Sequence, residues 1–74
     1  MPDMFLDVCS LQPPEPMERI MEALATLEPQ QRLAVMIDRQ PHPLYGLLER
    51  KGYRHSIALR PDQRYDLLIW RAIP

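Results

Sequence analysis

The stretch from Leu6 to Pro16 constrains the fold most, because the hydrophobic period of the chain changes there at a proline-rich turn. Apolar side chains alternate from Met4 to Val8, which predicts a first strand with two different faces. From Pro14 to about Leu27 they recur at helical spacing, which predicts a helix with one buried stripe. Prolines fit the first turn of a helix because amide groups there lack partners within the helix.

The middle of the chain predicts a second strand and a second helix. Leu33–Ile37 is apolar at every position, which is typical of a strand with neighbours on both sides, so we place it near the sheet centre. A polar turn, Asp38–Pro43, leads into a shorter helix with a leucine stripe, and Gly52 is placed to end it.

The last third of the chain predicts a hairpin. Tyr53–Leu59 and Tyr65–Trp70 are strand-like segments joined by the turn Arg60–Arg64, in which a proline is placed to start the turn. The predicted order is therefore β-α-β-α-β-β. Right-handed crossovers then put both helices on one face of a four-stranded mixed sheet, an α/β (α+β) two-layer sandwich.

Length, charge and cysteine content narrow the class of protein. A chain of 74 residues allows one domain, residues 1–74, and a net charge of −1 with interspersed signs does not favour nucleic-acid binding. We expect a cytoplasmic protein without a signal peptide, a membrane span or a cofactor. One cysteine, Cys9, cannot form an internal disulfide, and the Cys and His spacing predicts no metal site.

The strand, the proline-rich turn and the helix resemble the TusA/SirA-like sulfur carriers, in which a Cys-Pro-x-Pro motif lies at this place. Pro13 stands where the carrier cysteine is expected. The segments Leu6–Pro16 and Asp38–Tyr45 resemble more closely an uncharacterised bacterial branch of that superfamily, a domain of unknown function with Pro-Pro-Glu-Pro in place of the cysteine motif. The resemblance implies the fold predicted above and no established activity.

The missing cysteine bears directly on chemistry. In the carriers, the helix N-terminus stabilises a thiolate, and Pro13 has no side chain that replaces it. Cys9 lies four residues earlier, where we expect a small buried side chain, and the alternative is a divergent persulfide or redox carrier that uses Cys9. No nucleophile–base pair or phosphate loop is present in the pattern, so we expect no enzyme activity.

Two surfaces are candidate binding sites. Ligands of α/β sheets bind beyond the carboxyl ends of the strands, where helix amides and Arg39 would offer a site for a small anionic ligand. The ligand-binding candidates at that edge are Cys9, Ser10, Glu15, Asp38, Arg39, His42 and Tyr45. The alternative is that Ser10 and Asp38 are ordinary turn residues, that His42 caps the second helix and that Glu15 suits a positive helix end. A partly buried structural role is expected for His55.

The second surface is the sheet face opposite the helices. Strand alternation directs a set of apolar side chains to that face, and exposed apolar patches often mark docking sites. The candidates for a partner surface are Phe5, Met36, Leu68 and Trp70, with Ala34 between them. A homodimer or another protein would cover them, although Arg54 and Asp66 are an alternative source of shielding in a monomer. We therefore predict a non-catalytic binding or regulatory module.

Overall fold

Four strands and two helices follow one another along residues 2–72 in the order that the hydrophobic periods predict. The structure is a computed structural model and describes residues 2–72. The elements in chain order are β1 (Met4–Asp7), α1 (Glu15–Thr26), β2 (Leu33–Ile37), α2 (His42–Arg50), β3 (Tyr53–Leu59) and β4 (Tyr65–Arg71). The predicted order β-α-β-α-β-β is confirmed. The first strand ends one residue earlier than predicted, although the Val8 amide still donates to the Met36 carbonyl oxygen at 3.0 Å.

The strands form one mixed sheet in the order β1-β2-β4-β3. β1 and β2 are parallel, with Phe5 opposite Ala34. β4 is antiparallel to both β2 and β3, with Leu68 opposite Ala34 on one side and Ser56 on the other. The placement of β2 inside the sheet is confirmed, and β1 and β3 are the two edges.

Both helices begin at prolines and end where the chain can no longer continue them. Pro16 and Pro43 lie in the first turns of α1 and α2, where a missing amide hydrogen removes no helical bond. α1 ends as Leu27 becomes extended, shortly before Pro29. α2 is followed by Gly52 with φ of +86°, a left-handed conformation in which glycine avoids the strain that a side chain adds.

The core lies between the two helices and one face of the sheet. It contains alternate residues of β2 and β4 and the inner stripes of both helices, none more than 4% exposed. Its buried members are Val8, Ile20, Leu24, Leu27, Leu33, Val35, Ile37, Leu44, Leu48, Leu67 and Ile69. Because both helices contribute to this one core, they cover the same face, and the four-stranded open sheet predicted from the sequence is confirmed.

The hairpin between β3 and β4 is closed by a tight turn. Arg60 donates its amide hydrogen to the Arg64 carbonyl oxygen at 2.7 Å, and Gln63 adopts a positive φ of 71°. Asp62 accepts the Arg64 amide at 3.1 Å, which fixes the carboxylate inside the turn. This turn lies at the end of the sheet where β1 and β2 also end. Among residues 2–72, neither helix is long and apolar enough to cross a membrane.

Candidate functional site

The loops that follow β1 and β2 are tied together by side-chain carboxylates. Asp7 accepts the Cys9 amide at 2.9 Å, and Asp38 accepts the Ser10 amide at 2.9 Å. Ser10 has a positive φ of 69°, so the chain turns sharply after β1. Cys9, Ser10 and Asp38, which the sequence places at one edge, are therefore neighbours. The Asp38 carboxylate is therefore already engaged as the acceptor of a backbone amide in the adjacent loop.

The Cys9 thiol lies in an environment that favours its neutral form. The side chain is half-buried, between Asp7 and the Arg64 guanidinium of the β3–β4 turn. Burial raises the pKa of the Cys9 thiol above its usual range and the Asp7 carboxylate adds to this, while Arg64 acts in the opposite direction. Arg64 also forms an ion pair with Asp62 at 3.0 Å, so its guanidinium interacts with both Asp62 and the Cys9 thiol. The site disfavours a thiolate at neutral pH.

A groove of about 340 Å³ separates the beginnings of α1 and α2, beside the carboxyl end of β2. It is lined by five prolines, by four other apolar residues, Leu11, Met17, Ile20 and Ile37, and by Asp38, Arg39 and Gln40. The five prolines are Pro13, Pro14, Pro16, Pro41 and Pro43. Within residues 2–72, the exposed Arg39 side chain forms no ion pair.

The prolines also determine which hydrogen-bond donors the helix starts present to that groove. Proline has no amide hydrogen, and several remaining amides of the two first turns are occupied locally. The Glu15 and Glu18 amides donate to the carbonyl oxygens of Gln12 and Pro14. In α2, the His42 and Leu44 amides likewise donate to nearby carbonyl oxygens. Few donors are left for an anion, and the groove is predominantly apolar.

The other ligand-binding candidates lie away from this groove or are engaged by neighbours. Glu15 forms an ion pair with Arg19 one helical turn later, at 3.1 Å. Tyr45 stacks face to face on His55 with ring centroids 4.4 Å apart, and His42 meets Tyr45 edge-on at 5.7 Å. His55 is half-buried, as expected. Burial raises the pKa of the Tyr45 hydroxyl, which donates to Gln40 at 3.4 Å. In the described part of the chain, no cluster of three metal-ligating side chains occurs.

The sheet face without helices, called the open face below, carries its side chains in three rows across the strands. Asp7, Met36, Asp66 and Ala58 form the first row, and Phe5, Ala34, Leu68 and Ser56 form the second. Continuation of the same register gives a third row with Asp3, Arg32, Trp70 and Arg54, in which Arg32 is ion-paired with Asp3 at 3.0 Å. Along the strand direction, the acidic row is therefore followed by the apolar row and then by a row whose unpaired charge is Arg54 within residues 2–72.

The middle of the open face is concave and apolar. Phe5 is 81% exposed, although large apolar side chains are commonly buried. Ala34, between Phe5 and Leu68, has a short side chain, and a depression of about 650 Å³ lies over this part of the face. The four apolar residues predicted as a partner surface, Phe5, Met36, Leu68 and Trp70, all lie on this face.

Charges at the acidic end of the open face are unevenly balanced. Arg60 bonds both Asp62 and Asp66, at 3.3 and 3.1 Å. Asp7 has no ion pair with any residue from 2 to 72, and its carboxylate accepts the Cys9 amide, which holds the pKa of Asp7 below its usual range. A negative charge is therefore maintained at the edge of the apolar depression.

Arg60 and Arg64 were not identified from the sequence as part of either surface. They belong to a turn that lies more than 50 residues from Asp7 in the chain. Only the pairing of β4 with β2 brings this turn close to the carboxyl end of β1. Strand alternation alone did identify the apolar members of the open face, because side-chain direction follows from position within each strand.

Comparison with known proteins gives a family but no characterised relative. No curated protein and no solved structure matches the chain. The model of one family, described as "Uncharacterized conserved protein (DUF2249)", matches residues 5–71. This range includes both helices and every strand residue except Met4. The chain is therefore a member of this uncharacterised DUF2249 family.

Proposed function

We propose that this protein is a non-catalytic docking module that binds an amphipathic segment of a partner polypeptide on its open face. The observation that carries the proposal is the exposure of Phe5, 81%, beside the depression over Ala34. Exposed apolar patches of this kind have a cost in water unless another molecule covers them.

Charge defines the chemistry of the segment. Asp7 supplies a negative charge without an ion pair within residues 2–72, directly beside the apolar row. We infer that the bound segment places a bulky apolar side chain over Ala34 and a lysine or arginine next to Asp7. The apolar contact supplies most of the affinity, and the ion pair at the rim sets orientation and association rate.

The sequence also raised a persulfide or redox carrier that uses Cys9, and this alternative has less support. The raised pKa of the Cys9 thiol opposes the thiolate that such chemistry needs, and the prolines remove amides that would stabilise an anion. We infer common ancestry with the TusA/SirA-like carriers from the motif at Leu6–Pro16 and from element order. In this proposal the fold is kept and the sulfur chemistry is lost.

A random peptide library displayed on phage and selected on the purified protein tests the docking proposal. We expect enriched peptides with an aromatic or leucine side chain close to a lysine or arginine. Purified peptides should perturb the amide NMR signals of Phe5, Met36 and Leu68. Fluorescence anisotropy should show that Phe5→Ser weakens their binding by at least about tenfold, since aromatic residues that dominate an interface often contribute more than about 1.4 kcal/mol.

Two further variants serve as controls. Leu59→Ser removes the other large apolar side chain that is highly exposed within residues 2–72. Leu59 is 59% exposed and lies outside the open face, so its replacement should leave peptide binding unchanged. Asp7→Asn keeps an oxygen that can accept the Cys9 amide and removes the charge, so it should reduce both affinity and its salt dependence. Peptides that bind Phe5→Ser as tightly as the parent protein would refute the proposal.

A further inference from the structure

β3 is an edge strand whose outer backbone groups are unpaired within the sheet. Among residues 2–72, β3 pairs only with β4, at the end of the strand order. Hydrogen bonds at both ends of the hairpin, Arg60 N–H to Arg64 and Ala72 N–H to Gly52, identify the even-numbered residues of β3 as those bonded to β4. Alternation then directs the N–H and C=O groups of the odd-numbered residues away from the sheet. These residues are Tyr53, His55, Ile57 and Leu59.

This edge lacks most of the features that keep natural edge strands from pairing. Tyr53–Leu59 contains no proline and no lysine, and Arg54 is its one arginine or carboxylate side chain. Its register with β4 runs without a bulge from Tyr53 to Leu59. β1, the other edge, has four residues where β3 has seven. Long, regular and unprotected edges are templates for another strand.

We propose that β3 pairs antiparallel with β3 of a second copy of this chain, with Ser56 opposite Ser56, to form a two-fold symmetric dimer. In this register Tyr53 faces Leu59 of the second copy and His55 faces Ile57. All four outward residues of each copy then exchange both of their backbone hydrogen bonds. A shift by two residues in one direction puts Pro61 opposite Tyr53, and proline donates no hydrogen bond.

Side chains on both faces favour the same register. On the helix-covered face, Leu59, 59% exposed, is covered by Tyr53 of the second copy. On the open face, Arg54 lies opposite Ala58 of the second copy, and Ala58 is paired with Asp66. The small Ala58 side chain lets the guanidinium pass over it to Asp66, two strand spacings or about 10 Å away between backbones. Arg54 has no ion pair within residues 2–72. Asp66 already bonds Arg60 at 3.1 Å, but its side chain is 60% exposed, which leaves carboxylate surface for a second guanidinium.

Such a dimer also changes the open face. Two four-stranded sheets become one continuous sheet, and the two open faces lie side by side on the same surface. The edge pairing and the docking of a partner segment are separable, because Phe5 lies on β1, at the opposite edge from β3.

Sedimentation velocity over a micromolar to millimolar concentration series tests the proposal. The mass of the parent protein should rise from 8.7 kDa toward twice that value. Ala58→Lys places an ammonium group opposite Arg54 of the second copy and should weaken the dimer by at least about tenfold. Ala25→Lys, the same change at an exposed alanine of α1, should dimerise like the parent. Arg54→Glu should also weaken the dimer, and the double variant Arg54→Glu, Asp66→Arg should restore it.

Amide hydrogen exchange distinguishes this dimer from other assemblies. At dimer-forming concentrations, the amides of Tyr53, His55, Ile57 and Leu59 should exchange more slowly than in the dilute protein. Phe5→Ser should dimerise normally, so a failure of the docking proposal leaves this result unchanged. A mass that stays at 8.7 kDa throughout, or a dimer in which these four amides are not protected, would overturn the edge-pairing proposal.

Discussion

Leu67 and Leu68 are adjacent in β4 and face opposite sides of the sheet. Replacing each of them in turn therefore compares packing in the core with packing on the open face. Leu67 is 1% exposed, beneath the helices, whereas Leu68 is half-buried on the open face. Replacement of each by alanine removes the same atoms from the same strand. The difference between their free energies of unfolding therefore measures what the helix layer adds.

The expected magnitudes follow from burial. Leu67→Ala removes about 2.5 kcal/mol of transfer free energy, and a closed cavity under the helices raises the loss to about 3–5 kcal/mol. Leu68→Ala leaves no closed cavity because no helix covers the open face, so we expect a loss of about 1 kcal/mol. A chain of 74 residues has a total stability of about 4–11 kcal/mol, and the first variant therefore loses a large part of it.

Urea unfolding followed by far-ultraviolet circular dichroism measures both losses, at a protein concentration low enough to keep the chain monomeric. The midpoint should fall much further for Leu67→Ala than for Leu68→Ala, with unchanged slopes. The same Leu68→Ala protein should bind selected peptides weakly. Equal losses of stability would refute our reasoning, because they would mean that the open face is packed as tightly as the core.

Three further predictions concern the turns and the titratable groups. Gly52→Ala meets no atom within 4 Å but must keep φ near +86°, so it should cost about 1 kcal/mol in thermal or urea unfolding. At neutral pH, iodoacetamide should alkylate Cys9 more slowly in the folded protein than in the urea-unfolded chain, because burial raises the pKa of Cys9. The rate in the folded protein should increase only above the usual thiol pKa, and equal rates in the two states would contradict this. The Arg64 amide holds the pKa of Asp62 below its usual range. The Asp62 carboxylate therefore stabilises the fold at pH values above the pKa of an aspartate in the unfolded chain, and this contribution is lost as the pH falls through the lowered pKa. Asp62→Asn should flatten the acid limb of a stability–pH curve, and an unchanged limb would show that the carboxylate is not linked to folding.

Most of the fold was predictable because helical and strand periods are local properties of the sequence. The strand Leu33–Ile37 and the helix that became α1 were each predicted within two residues of their ends. The open face was predictable for the same reason, since alternation alone directs Phe5 and Leu68 to one side. The order of the strands did not follow from the pattern, because it depends on which edges the crossovers leave free.

The candidate site at the carboxyl edge was less predictable, because its properties depend on neighbours distant in sequence. The pattern marked Cys9 and Asp38 as members of one edge. It did not show that Asp38 binds the Ser10 amide or that Arg64 approaches the Cys9 thiol. The first contact requires the pairing of β1 with β2 and the second also requires the pairing of β4 with β2, and no local rule specifies either pairing.

The sequence by itself determined the types and order of the elements, the two chemically different faces of the sheet and the absence of a cysteine at position 13. Each of these depends on residue identity and short-range spacing. The tertiary structure decided that β3 lies at an edge, with the amides of its odd-numbered residues unpaired in the sheet formed by residues 2–72. It also decided the order in which an acidic row, an apolar row and a row with Arg54 and the Asp3–Arg32 ion pair cross the open face. These features arise because strand order and register bring together residues that are far apart in the chain, and function is proposed from that juxtaposition.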